Sequence, residues 1–199
     1  MPDLWKLENE IYDSGAGLLC GVDEAGRGPL AGPVYAAAVI LPRGLEIDGL
    51  NDSKKLSPER REALFPVICE KALCCGIAFA TVEEIEDLNI LNATFLAMNR
   101  AIEKLGVTPA LALIDGNRDG GINTASRCVV KGDALCADIA AASVLAKVSR
   151  DRYMDELARE YPEYGFERHK GYGTKLHYEA IRRCGPCPAH RTSFLRKLH

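Results

Sequence analysis

Apolar residues along this chain come in two rhythms. Short, nearly continuous runs predict strands: "LLCGVD" at 18–23, "VYAAAVIL" at 34–41, "CCGIAFATV" at 74–82, "ALALI" at 110–114 and "RCVV" at 127–130. Between them lie stretches with three- and four-residue spacing. Residues 56–73 read as a helix with Ser57 as N-cap and Pro58 at its first position, kinked or divided at Pro66. Residues 86–105 carry a core stripe of Leu88, Leu91, Phe95, Met98, Ile102 and Leu105. A long helix is expected from Ala134 to about Glu160, its small-residue segment "IAAASVLAKV" packed closely against a neighbour. Strands alternating with helices predict an α/β domain with a single sheet. The remainder, rich in Gly, Pro and aromatic residues, reads as a smaller helical appendage; the boundary is expected between residues 163 and 164.

Composition narrows the class. The chain has 199 residues, 47% of them hydrophobic and 27% charged, enough for one domain with a real core. No run of about 18 apolar residues suggests a membrane span. The acidic start "MPDLWKLENEIYDSG" lacks the basic-then-apolar pattern of a secretory signal, so a cytoplasmic protein is expected. In that compartment the eight cysteines read as reduced, buried thiols. "CGPC" at 184–187 has redox spelling, but follows a helical pattern rather than opening one after a strand. No cysteine pair or histidine stands near it at zinc spacing. The net charge of −3 hides an asymmetry: residues 166–199 hold eight Lys/Arg against two acids, the rest seventeen against twenty-six. All four histidines also lie in this tail. An acidic body with a basic end can hold a polyanion while its reacting part meets an acidic pocket, although basic terminal helices are often merely solvated.

The chemistry sits where strands end. Asp23 and Glu24 follow the first strand, Asp115 follows "ALALI", and Asp133 opens the long helix. Sites in α/β sheets form near the carboxyl ends of strands. If the first and fourth strands are neighbours, acids from distant sequence meet. Successive strand residues point to opposite faces, so Asp23 and Glu24 share a pocket only if the chain bends between or just after them; Ala25-Gly26 supplies that freedom. Such a cluster repels itself unless cations neutralise it, and its oxygens suit Mg2+ or Mn2+. Taken singly, Asp133 reads as an N-cap and Asp115-Gly116 as a turn; jointly the metal reading is the better one. "GRGPLA" at 26–31 formally fits a dinucleotide-binding signature, but Pro29, Pro33 and a strand follow where a helix is required.

The segments "GVDEAGRGPLAGPVYAAAVIL", "NDSKKLS", "LNILNATFLAMNRAI", "LIDGN", "KGDALCADIAAASVLAKVSRDRYM", "YPEYGFERHKGYGTKLH" and "HRTSF" together resemble bacterial ribonuclease HII over almost the whole chain. The resemblance implies a ribonuclease H-like fold, a central mixed sheet flanked by helices, with residues 164–199 as a basic helical extension on the catalytic domain. It implies a monomeric, metal-dependent endonuclease. Its substrates would be the RNA strand of RNA/DNA hybrids and duplex DNA containing single ribonucleotides, with a place in ribonucleotide repair and DNA replication. By position, Asp23, Glu24, Asp115 and Asp133 resemble the metal-binding acids, serving two ions during catalysis. Gly26, Arg27 and Gly28 resemble the loop that reads the ribose 2′-hydroxyl, and Tyr172 the tyrosine stacked at the sugar. Ser53, Lys54, Ser143 and Lys147, with His190 and Arg191, resemble phosphate contacts. "GYGT" departs from the family in Gly173, where proline is common. Asp138 stands in a variable slot and reads as a first-turn helix charge. Ribonuclease HIII, which would carry an extra N-terminal domain and lack the Gly-Arg-Gly loop, and a non-catalytic hybrid-binding protein, which would not need four acids, are the alternatives.

Overall fold

In a computed structural model, residues 3–51, 53 and 56–195 are described. The chain opens with a helix absent from the sequence expectations, α1 (Lys6–Asp13), followed by β1 (Leu19–Ala25) and β2 (Val34–Ile40). Then come α2 (Pro58–Lys71), β3 (Cys74–Ala80), α3 (Val82–Glu103), β4 (Leu111–Asp115) and β5 (Ser126–Val129). The long helix α4 (Ala137–Glu160) and the short helices α5 (Phe166–His169) and α6 (Lys175–Cys184) complete it.

The strands form one mixed sheet in the order β3-β2-β1-β4-β5. β1 and β2 pair antiparallel, as do β2 and β3, whereas β1–β4 and β4–β5 are parallel. The register of β1 on β4 sets Val22 beside Ile114. One step further, Asp23 and Asp115 fall side by side at the same end of two parallel strands. The sheet separates two apolar layers. Val22, Ala38, Ala112 and Ile114 pack with Phe95, Met98 and Ile102 of α3, while Ala25, Ala37 and Val39 pack with Ala140, Ala141 and Val144 of α4. The alanine run of α4 permits a close approach to the sheet. At Gly21 the approach is closest, since a Cβ there would lie 2.2 Å from the Asp138 backbone.

Several local features differ from the periodicity reading. α2 runs unbroken through Pro66. Pro66 and Glu62 both lie on its exposed side, so the carbonyl that loses its partner can bond water. α3 instead bends at Asn89, whose φ of 67° is left-handed and whose side chain accepts from the backbone N–H groups of Leu91 and Asn92. The stripe therefore holds from Phe95 onward but not at Leu88, which is exposed. Of the eight cysteines only Cys20 and Cys136 are buried, and all eight are free thiols. Asp133 does not cap the long helix. It lies in a separate 3-10 turn, Gly132–Ala134, and Cys136 is the residue at the helix start.

Asp138 does stand in the first turn of α4, but it does not face solvent. It is fully buried, and its Oδ1 accepts from Leu41 N–H at 2.9 Å. Glu8 of α1, equally buried, accepts from the N–H groups of Ala137 and Asp138 and so caps α4 from a distance in sequence. Beyond α4, Tyr164, Phe166, Ala180, Ile181 and Leu195 pack on Leu30, Ala31, Met154 and Leu157, which docks the C-terminal segment on the body of the domain. Among the described residues no helix is long and apolar enough to cross a membrane.

Candidate active site

Asp23, Asp115 and Asp133 each offer a carboxylate oxygen, and the three atoms lie within 4.8 Å of one another. Three elements bring them there. β1 and β4 deliver Asp23 and Asp115 through their parallel pairing. After β5 the chain reverses at Lys131, whose φ of 59° is left-handed, into the 3-10 turn. Asp115 Oδ1 accepts from Gly132 N–H at 2.7 Å, which pins the turn beside β4 and sets Asp133 next to it. Glu24 stands outside this trio. β1 passes straight through both acids, so Glu24 points to the opposite face from Asp23, and the bend comes just after them at Gly26. Glu24 and Asp115 nevertheless border the same two cavities, of about 190 and 390 Å3.

The electrostatics are those of acids crowded at one point. Asp23 is buried, and its carboxyl is pushed well above the usual range, first by burial and then by the charges of Glu24 and Asp115. Two donors partly offset this: Glu24 N–H at 2.7 Å from Oδ1, and the Ser143 hydroxyl. Because Ser143 spends its proton on Asp23, its oxygen accepts from Ser53 at 2.7 Å. Arg27 reaches Glu24 Oε1 at 3.3 Å, but half-exposed on a loop it contributes little screening to the buried trio. An all-oxygen donor set that depresses its own ionisation fits hard divalent cations.

The smaller cavity gathers most of the other expected residues. Gly26, Arg27, Gly28, Ser53, Ser143, Lys147 and Tyr172 line it together with Asp23, Glu24 and Asp115. Tyr172 is 46% exposed there. Gly26 has a φ of +101°, and a Cβ on it would meet Arg150 Nε at 2.0 Å, so only glycine fits between strand end and helix. Lys147 is tied to Asp151 at 2.6 Å. Lys54 lies outside the described residues.

His190 and Arg191 are not where a phosphate contact would be. Both are buried, at 2% and 0% exposure. Arg191 spends its N–H groups on four carbonyls, of Gly26, Arg27, Pro29 and Gly32, at 2.7–3.1 Å. His190 accepts from Cys187 N–H through Nδ1 at 3.0 Å, which places its proton on Nε2, facing His177 Nε2 at 3.0 Å. His177 must then donate from Nδ1 to the Tyr172 carbonyl, also 3.0 Å away. Three residues that sequence reading passed over complete the surroundings. Arg150 donates to Ala31, Pro33 and Lys170 carbonyls. Arg61 donates to Ser53 O at 2.9 Å and, with Lys147, faces Asp151.

A helix-flanked mixed sheet with carboxylates converging at the ends of its central parallel strands defines the ribonuclease H-like class. The ribonuclease HII family model matches residues 20–197. The chain is 62% identical to a ribonuclease HII of Albidiferax ferrireducens over 179 residues, 90% of this chain and 86% of that one. It is 48% identical to a ribonuclease HII of Caldicellulosiruptor bescii, covering 98% and 94%. Its fold is similar to the crystal structure of ribonuclease H2 from Pyrococcus horikoshii, with TM-score 0.74, 27% identity and coverage of 92% and 97%. This chain belongs to the ribonuclease HII family, and is thus a nuclease of the ribonuclease H type.

Proposed function

We propose that this protein is an endonuclease that hydrolyses the RNA strand of RNA/DNA hybrids and nicks duplex DNA on the 5′ side of single embedded ribonucleotides, leaving 5′-phosphate and 3′-hydroxyl ends. Such an activity serves ribonucleotide removal and DNA replication. The observation that carries the reading is the carboxylate trio Asp23, Asp115 and Asp133, of which Asp23 and Asp115 line the same cavity as the Gly26–Gly28 loop and Tyr172. The acids would hold Mg2+ or Mn2+, with Glu24 bordering the same cavity from the opposite face of β1. When bound, a pair of such ions lowers the pKa of an attacking water and neutralises the departing oxygen.

The protein's own residues orient the substrate. Asp23, held by Ser143 and the Glu24 N–H, presents its carboxylate at a fixed angle. The loop lines the cavity together with Ser53, Ser143 and Lys147, so a strand seated there would meet loop backbone, Arg27 and phosphate-binding donors. Only RNA offers a 2′-hydroxyl to the loop. The exposed ring of Tyr172 provides an apolar face for the sugar at an RNA–DNA junction. Lys147, a point charge, positions phosphate without reading sequence.

The test is a labelled duplex with one embedded ribonucleotide, incubated with Mg2+, Mn2+ or EDTA. A single metal-dependent nick 5′ to the ribonucleotide is expected, resealable by a DNA ligase because it leaves a 3′-hydroxyl next to a 5′-phosphate. Binding without cleavage under every metal condition would favour a hybrid-binding protein instead.

A further inference from the structure

We propose that Arg150 and Arg191 are positioning residues that act as a paired guanidinium clamp, holding the Gly26–Pro33 loop and the Tyr172 segment in one fixed relation to the acidic centre. The inference rests on the reading of the shared cavity as the hybrid-binding site. It begins with an oddity of burial. Both side chains are essentially inaccessible, at 1% and 0%, and their hydrogen-bond partners are backbone carbonyls rather than carboxylates. A guanidinium is costly to bury, so seven carbonyls spent on two of them mark a built arrangement.

The pattern of acceptors gives the role. Arg191 takes Gly26, Arg27, Pro29 and Gly32; Arg150 takes Ala31 and Pro33 of the same loop. The loop thus turns six of its carbonyls inward. In a planar trans peptide the C=O of one residue and the N–H of the next point in opposite directions. With the carbonyls of Gly26 and Arg27 drawn onto Arg191, the N–H groups of Arg27 and Gly28 face away from it. These are the residues that line the cavity beside Asp23. The clamp therefore sets the direction of two backbone donors at the candidate 2′-hydroxyl position. Arg150 adds the second half: its Nη1 donates to the Lys170 carbonyl at 3.0 Å, two residues before Tyr172. One side chain on α4 thereby spans loop and tyrosine segment, and the Leu30 N–H bond to Gly171 at 2.8 Å closes the same link. Arg150 lines the cavity with Asp23 and Asp115, but the hydrogen bonds of both guanidiniums go to carbonyls of the loop and the tyrosine segment, which separates positioning from metal binding.

Arg191→Lys and Arg150→Lys test the clamp, because lysine keeps the charge but loses the fork that reaches several carbonyls. Three quantities are measured on folded protein: Mn2+ affinity by calorimetry, KM and kcat on an RNA/DNA hybrid, and the rate of trypsin cleavage after Arg27. Expected are Mn2+ affinity within about twofold of the unaltered protein, KM raised about tenfold, and an Arg27 cut accelerated about tenfold without global unfolding. Wild-type KM and Arg27 protection in the folded variants would overturn the proposal. So would parallel loss of Mn2+ affinity, cleavage and thermal stability, or failure of both variants to fold, since each means scaffolding alone. The trypsin arm decides the clamp even where the unaltered protein proves inactive on hybrids, an outcome that would count against the functional reading only.

Discussion

The molecule sets two charged clusters about one cavity and treats them in opposite ways. At the strand ends, Asp23 is buried beside Glu24 and Asp115, and its ionisation is suppressed by its neighbours. Under the loop, Arg150 and Arg191 are buried just as deeply, yet each is surrounded by carbonyl oxygens. Burial pushes them down to about 10 and about 9, so both stay protonated at neutral pH. The first cluster brings like charges together; the second is finished, neutralised by the chain's own carbonyls. Buried charge alone therefore does not mark a ligand site. What separates them is whether the surrounding atoms already carry the complementary charge.

The contrast breaks most sharply at Asp115. Asp115→Asn keeps the oxygen that accepts from Gly132 N–H but removes one negative charge from the trio. Cleavage should fall on the order of 10³-fold or more, the scale of losing a main electrostatic stabiliser. In EDTA the variant should be more stable than the unaltered protein by up to about 1 kcal/mol, because repulsion is relieved. Thermal melts with and without Mn2+ check this: the ion should raise the midpoint of the unaltered protein clearly and that of the variant little. A variant that cuts at the normal rate would remove Asp115 from the site.

The histidines that back the finished cluster should respond to protons rather than to metal. His177 is held neutral, pushed down to about 4 first by burial, and His169 and His190 are lowered for the same leading reason. In the unfolded chain these rings protonate near pH 6.5. The folded-state values are depressed, so the unfolded chain binds more protons as pH falls below 6.5. Stability should then drop between about pH 6.5 and 4, with His177 contributing up to about 3 kcal/mol. A proton added to His177 Nε2 would face the proton His190 already directs at it, so the chain of bonds to the Tyr172 carbonyl opens. Amide exchange should therefore rise at Tyr172 before it rises in β1. Glu8, raised to about 7 first by burial, runs the other way, its contribution falling as pH climbs from 4.5 toward 7. His177→Gln should flatten the acid limb alone, and an unchanged limb would refute the assignment.

Between the two clusters stands Tyr172, exposed yet fixed by its backbone: its N–H donates to the His169 carbonyl and its own carbonyl accepts from His177. Tyr172→Ala leaves those bonds in place. Stability should stay within about 0.5 kcal/mol. Loss of a stacking face should lower kcat/KM on a junction substrate about 10- to 100-fold. Equal cleavage by the two proteins would sever the ring from substrate.

The acidic centre was far more legible than the clamp. Asp23 and Asp115 each end an apolar run, and only the adjacency of β1 and β4 had to be supposed. Asp133 reaches the trio by a different route from the one its sequence suggests, since it sits in its own turn, pinned by Asp115, rather than at a helix start. Arg150 gave no signal: in "VSRDRYM" it resembles the solvated charges around it, and its acceptors are carbonyls, which every residue carries. Arg191 reads in "HRTSF" as a phosphate contact, because sequence does not show that this segment folds back beneath the loop. Helix α1 escaped because one of its buried positions is an acid, Glu8, whose partner is the start of α4 more than a hundred residues away. Asn89 broke a stripe that spacing alone would have continued.

The smallest effect sharpens where the finished cluster ends. Cys184 and Cys187 share a redox spelling but not an environment. Cys184 is exposed, with Arg183 Nε 3.4 Å from its sulfur. Cys187 lies 3.2 Å from His190 Nδ1, and burial raises its thiol, so it is a poor nucleophile. Cys184→Ser should leave stability and cleavage within experimental scatter. Cys187→Ser should cost about 1 kcal/mol, because it alters a partly buried contact to the ring that relays to His177 and Tyr172. Oxidant treatment of the unaltered protein that abolished cleavage, and spared it in Cys184→Ser, would show instead that the pair works as a switch.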